Sequence, residues 1–165
     1  MGLFNKLFNS KTSDSKEVTG KPTAYNSEIN FDKLVEQART SGSSADLEIL
    51  YKSFLKLDNW VFIVSKNCDI EQAKPFIGVI DDQPWLYVFT DSKKADQYAK
   101  TFGNFHTKDG NTLVLKMRRD GSLNMTKELG QRGVYGVRIN DGENGWYCSI
   151  QELFGIISHY QIDIS

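Results

Sequence analysis

Cysteine and histidine are scarce in this chain of 165 residues, which holds only Cys68, Cys148, His106 and His159. With no CxxC pair, a structural zinc site has no ligands to start from. No apolar run approaches the roughly 20 residues that a membrane-spanning helix needs. Charge of one sign is lacking too. The net charge is −1 at pH 7, and no dense stripe of Lys and Arg occurs. A dedicated nucleic-acid binder must offset several phosphates, so nucleic acid is not expected as a partner. The glycine-rich phosphate loops and the GxSxG nucleophile turn are absent as well.

What the chain does have is aromatic side chains, 12% of all residues, enough for a substantial core. The clearest fold signal is PFIGVIDDQPWLYVFTDSKKADQYAKTFG, from Pro75 to Gly103. Phe76 to Ile80 and Trp85 to Phe89 are rich in β-branched and aromatic residues, as strands are. Asp81, Asp82 and Gln83 between them suit a tight reversal, so a β-hairpin is expected. Pro84 fits the beginning of the second strand. Trp85, Tyr87 and Phe89 point to one face and Leu86 and Val88 to the other, which predicts a central strand covered on both sides. Asp91 or Ser92 can cap the helix that follows, with Ala95, Tyr98, Ala99 and Phe102 inward and Gly103 at its end.

Around this unit, residues 1–27 read as a flexible arm and 28–165 as a single domain. The arm is rich in Ser, Thr, Lys and Gly after a short amphipathic start, in which Leu3, Phe4, Leu7 and Phe8 share one helical face. That face suits weak peripheral contact with a membrane or with a partner groove. It is too short for a secretory signal, so both thiols are expected free in a reducing cytoplasm.

The domain opens with two amphipathic helices, the first capped by Asn30 and carrying Phe31, Leu34, Val35 and Ala38. The second is capped by Ser44 and turns Leu47, Leu50, Tyr51, Phe54 and Leu55 inward. Trp60 to Ser65 is a strand apolar on both faces. Leu113, Leu115 and Met117 mark a strand with one wetter face, and Asp120–Gly121 reads as a turn before a weak helix over 122–130. Val134 to Asn140, with Tyr135, Val137 and Ile139 on one face, and Trp146 to Ile150 flank the DGENG turn. Ser149 and Glu152 form a capping-box pattern ahead of the last helix. The class is α+β: a mixed, largely antiparallel sheet of about six strands with helices packed on it, a two-helix start and a C-terminal helix.

The stretches LEILYKSFLKLDNWVFIV, WLYVFTDSKKADQYA, YGVRIN and GWYCSI together resemble the SseB-like domain, named for the bacterial enhanced serine sensitivity protein and distinct from the type III secretion translocon protein of the same name. In that family a strand ending in Phe-Thr and a small polar residue feeds a helix, matched by Phe89, Thr90 and Asp91. A Gly-x-x-x-Asn run before the last hairpin is matched by Gly136 and Asn140. The resemblance spans roughly residues 45 to 160 and lacks the C-terminal domain of longer members. It implies a bacterial cytoplasmic domain that serves as an accessory or interaction module. It brings no catalytic residues with it.

Each candidate for chemistry also has a structural use. His106 lies in a polar loop, and His159 near a helix end, where a cation favours the dipole. Cys148 should be a buried, inert thiol; Cys68, in a loop, has no evident base. Asp81 and Asp82 suit turn chemistry better than an acid pair. DGENG lacks the spacing of a calcium loop. Arg118, Arg119 and Arg138 would bind an anion if their strands lay together, although solvated sheet-edge charges are the more common use of such residues. Trp146 follows a glycine turn and, with Asp91 and Asn140 at strand ends, could form a polar-rimmed aromatic patch for a partner; core packing is its other use. No catalytic, cofactor-binding or metal-ligating set emerges. The expected function is therefore a non-enzymatic protein-interaction module with an unidentified protein partner. An immunity-type protein that occludes a toxin is the alternative, and an enzyme using Cys68 or a carboxylate is the third reading.

Overall fold

A computed structural model describes residues 29–64, 73–102, 105, 107 and 109–164. The amphipathic start, Cys68, Gly103 and His106 lie outside the described residues. The described residues open with α1 (Phe31–Ser41) and α2 (Ser44–Leu55). The Asn30 side chain accepts from Lys33 N at the start of α1, and Gly42 ends it in the left-handed region at φ 60°. The cap of α2 is Ser43, one residue before the expected Ser44, because its hydroxyl is the one that reaches Asp46 N. Leu47, Leu50, Tyr51, Phe54 and Leu55 are all buried as expected.

Strand β1 (Asn59–Ile63) leads to the hairpin β2 (Ile77–Ile80) and β3 (Gln83–Val88). Asp81 and Asp82 at its tip have φ of 50° and 60°, the left-handed pair that a two-residue hairpin of matching twist demands. Then follow α3 (Ser92–Phe102), β4 (Val114–Arg118) and α4 (Arg119–Gln131). The chain closes with β5 (Gly136–Ile139), β6 (Trp146–Ser149) and α5 (Ile150–His159). The Ser149–Glu152 capping box forms in full.

The α+β class holds, and the described strands fall into two mostly antiparallel sheets: β2-β3-β5-β6 and β1-β4. Only β3 and β5 run parallel within them. The sheets meet where Val61 and Phe89 exchange backbone hydrogen bonds of 3.0 and 2.7 Å.

Two strands are apolar on both faces, and this sets the layering. Trp60 and Phe62 of β1 and Leu86 and Val88 of β3 enter one core with α1, α2, α4 and α5. Val61 and Ile63, with Trp85, Tyr87 and Phe89, enter a second core closed by Ala95, Tyr98 and Ala99 of α3. Central placement of β3, between β2 and β5, follows the expectation.

Four local expectations are corrected. Asp120 and Gly121 lie in the first turn of α4 rather than in a reversal, because the Ser122 hydroxyl donates to Arg118 O and the strand runs straight into the helix. Phe102 is 52% exposed, since the α3 stripe meets the sheet only through its first turns. Tyr135 precedes β5 and is half exposed; its ring meets Trp85 at 5.0 Å instead of joining Val137 and Ile139. Ile150 opens α5 and is not part of β6.

Rings lying on glycine close the second core. A Cβ at Gly136 would stand 2.5 Å from both the Trp85 ring and the Cys148 carbonyl oxygen, and one at Gly78 would stand 2.8 Å from the Tyr87 ring. Gly136→Ala should therefore cost about 1–3 kcal/mol through overpacking. Urea denaturation of the two proteins measures this, and equal midpoints would contradict it.

Candidate functional site

A small crevice lies beside the carboxyl end of β3, which Asn140 ties to the end of the parallel strand β5. Past Val88, the chain continues through Phe89, Thr90 and Asp91 into α3; past Ile139 it turns at Asn140, whose φ is 48°. Asn140 N donates to Val88 O at 2.9 Å. The Asn140 side chain then ties the two ends together: Oδ1 accepts from Thr90 N at 2.9 Å and Nδ2 donates to Thr90 Oγ1 at 3.0 Å. Thr90 Oγ1 donates to Asp91 Oδ2 at 3.1 Å, while Asp91 Oδ1 accepts from Lys94 N at 2.8 Å and so caps α3. Across the gap, Lys94 Nζ pairs with Asp32 of α1 at 2.6 Å.

The crevice left between the starts of α1 and α3 has a volume of about 440 Å³ and is lined by Ile29, Phe31, Leu57, Thr90, Asp91 and Lys93. Its lining joins the apolar Ile29, Phe31 and Leu57 to the polar Thr90, Asp91 and Lys93. In open α/β sheets, ligands lie outside the carboxyl ends of parallel strands, where the loops diverge. This crevice occupies the corresponding place, an analogy of position only.

Of the three residues expected to form a partner patch, two meet here. Asp91 lines the crevice; Asn140, only 6% exposed, supports that lining through Thr90 without offering a surface. Trp146 is corrected: at 1% exposure it does not stand out of the sheet. It stacks behind Phe31 at 5.9 Å and meets Phe54 edge-on at the same separation, because β6 turns Trp146 and Cys148 into the helix-covered core. Core packing is thus its observed use, and it backs the Phe31 wall of the crevice. Ile29, Leu57 and Lys93 were missed by sequence reasoning. Their one signal is that Ile29 and Leu57 are apolar residues just outside helical stripes.

The other candidates disperse. Arg118 and Arg119 sit at the β4–α4 junction with Asp58, Asn59 and Asp120, a neighbourhood whose acids offset its cations. Arg138 lies in the other sheet, paired with Asp141 at 2.6 Å and stacked over Trp85 and Tyr147 at 5.7 and 5.1 Å. The three arginines form no common anion site. The DGENG loop is instead held by Arg39, which donates to the Glu143 and Gly145 carbonyl oxygens at 2.9 Å each. His159 closes α5 with its ring against Tyr160 at 4.8 Å. Among the described residues, no group of His, Cys, Asp and Glu is placed to hold a metal ion, and no helix is long and apolar enough to cross a membrane.

Cys148 is buried beside the Tyr51 hydroxyl, and burial pushes its thiol up to about 12. Such a thiol has almost no nucleophilic anion near neutral pH. A scan against models of protein families finds no match to this chain, and no curated protein matches it.

Two outcomes follow. Asn140→Gly keeps the left-handed backbone and loses the Thr90 bonds, whereas Asn140→Ala loses both; thermal unfolding should show a larger loss for Ala, about 1–3 kcal/mol. In a Cys68→Ser background, iodoacetamide at pH 8 should modify Cys148 only in denaturant. The linked stability is full below the unfolded thiol pKa of about 8.5 and is lost as pH rises toward the folded value; a Cys148→Ala variant should show a shallower alkaline fall.

Proposed function

We propose that this chain is a non-enzymatic protein-interaction module of the SseB-like type, working in the cytoplasm, and that the crevice beside the carboxyl end of β3 receives an apolar side chain of a partner protein. The observation that carries this reading is the crevice itself: Ile29, Phe31 and Leu57 leave an apolar hollow at the surface, with Thr90, Asp91 and Lys93 around it. Ile29 remains 47% exposed there. Hollows of this make-up accept the anchor residues that dominate protein–protein binding, while the polar rim fixes orientation.

The Thr90, Asp91 and Asn140 side chains favour binding over catalysis because they are already committed. Asp91 caps α3 and bonds Thr90, and both polar atoms of the Asn140 side chain are used by Thr90. A general acid or base needs its functional atoms directed at substrate. The apolar face of Leu3, Phe4, Leu7 and Phe8 would add a second, weak contact with the partner or with a membrane surface and so raise effective concentration.

Photo-crosslinking residues placed at Ile29 and Lys93 should capture the same protein in the native cell, and one at the exposed Lys127 on α4 should not. Equal capture from all three positions, or from Lys127 alone, would remove the crevice as the contact. A single stoichiometric product would favour the toxin-neutralising form of this reading over a module with several weak partners.

A further inference from the structure

The hairpin strand β2 forms one edge of the four-stranded sheet. Its register pairs Ile77 with Leu86, Gly78 with Trp85, Val79 with Pro84 and Ile80 with Gln83. One step further along, Tyr87 N donates to Phe76 O. Backbone groups alternate in direction along an antiparallel strand. Gly78, Ile80 and the Phe76 carbonyl therefore address β3, while Phe76 N donates to Ile63 O at the end of β1, and Ile77 and Val79 turn their N–H and C=O groups away from β3.

Apart from its shortness, this edge carries no protective device within its own four residues. Ile77–Gly78–Val79–Ile80 contains no charge, no proline and no bulge, the devices that keep sheet edges from pairing. Val79 is 69% exposed, the highest value among the exposed large apolar side chains of the described residues. By contrast, Pro84 on the neighbouring strand sits opposite Val79, where its missing N–H costs no bond to β2.

We propose that β2 pairs antiparallel with β2 of a second copy of this chain, about a two-fold axis through Gly78, so that the two sheets become one. Three features select a second copy and this register. First, only an axis at Gly78 lets Ile77 of each copy exchange both backbone hydrogen bonds with Val79 of the other. Moving the axis to Ile77 sets Val79 against Pro75, which has no N–H, and moving it to Val79 sets Ile77 against Asp81 in the left-handed turn.

Second, the side chains are self-complementary on both faces. Ile77 meets Val79 of the other copy on one face and Phe76 meets Ile80 on the other, while Gly78 meets itself, its missing side chain already required by the Tyr87 ring. Third, the same register sets the exposed Lys74 of each copy opposite the exposed Asp82 of the other. These two residues lie just beyond the ends of the paired strands, where opposite charges brought close attract. An extended segment of a different protein has no reason to match a sequence that reads correctly against itself. The surface lies on β2, away from the crevice lined by Ile29, Phe31 and Leu57, so it stands or falls independently of the proposed function.

Sedimentation velocity of the full chain over a concentration series tests this. The unaltered protein should show a monomer–dimer equilibrium that weakens with added salt, as the Lys74–Asp82 pairs are screened. Val79→Pro removes an outward N–H and no bond to β3, so it should raise the dimer dissociation constant at least about tenfold. Val79→Lys should act in the same direction by placing like charges near the axis. Circular dichroism confirms that each variant is folded. An unaltered protein that stays monomeric up to about 1 mM, or a folded Val79→Pro protein that dimerises as tightly as the unaltered one, would overturn the proposal. Capture of an unrelated extended peptide by a monomeric chain would overturn it as well.

Discussion

The structure depends on the burial of two strands that are apolar on both sides. An ordinary antiparallel strand hides one face and wets the other. Here β1 and β3 cannot do so, because Trp60 and Phe62 lie back to back with Val61 and Ile63, and Leu86 and Val88 with Trp85, Tyr87 and Phe89. Helices must therefore cover both faces of the sheet. The larger core is assembled from α1, α2, α4 and α5, and the smaller from α3 alone. The order of the chain, with α3 inserted between β3 and the later strands, supplies a helix to each side.

Aromatic packing carries this burial at a cost in hydrogen bonding. Phe54 stacks on Trp60 at 4.5 Å and meets Trp146 edge-on at 5.9 Å, and among the described residues the Trp60 and Trp146 indole N–H groups find no acceptor, while the Tyr51 hydroxyl has only the Cys148 sulfur beside it. Each such group costs on the order of 1–3 kcal/mol. The rings repay it through their large apolar area. Tyr51 shows the consequence directly, since burial pushes its hydroxyl well above the usual range. On the other face, glycines at 78 and 136 let Tyr87 and Trp85 lie down on the sheet. The result is a stiff platform whose strand ends are held in fixed relation by Asn140 and Thr90.

That rigidity is what gives the two surfaces their character. The crevice exists because α1 and α3 start on opposite sides of the β3 and β5 ends and are bridged by Lys94 and Asp32. The β2 edge exists because the hairpin lies outermost in its sheet, with nothing in its own four residues to deter pairing. Both are consequences of strand order rather than of any local motif.

Much of the local architecture could be read from the residues alone. Alternation identified β3 as doubly buried, since period-two apolarity on both faces has no other comfortable solution. Asn30, Asp91 and the Ser149–Glu152 pair declared their helices because short polar side chains reach backbone N–H groups only over a few residues. Asp81 and Asp82 declared the hairpin in the same way. The reading failed where neighbours in space outrank neighbours in sequence. Asp120–Gly121 has the composition of a turn, yet Ser122 bonded back to Arg118 keeps it helical. Trp146 follows a glycine turn, yet the side of the sheet it faces was decided by β5 pairing with β6 beneath α1 and α2. The meeting of Ile29, Phe31 and Leu57 with Thr90, Asp91 and Lys93 joins segments with no periodic relation. The sequence determined which residues must be hidden and where each helix begins, because those are short-range matters of solvation and hydrogen bonding. Only tertiary structure decided which hidden faces touch and which edges stay open, because strand order is chosen by the packing of the whole core.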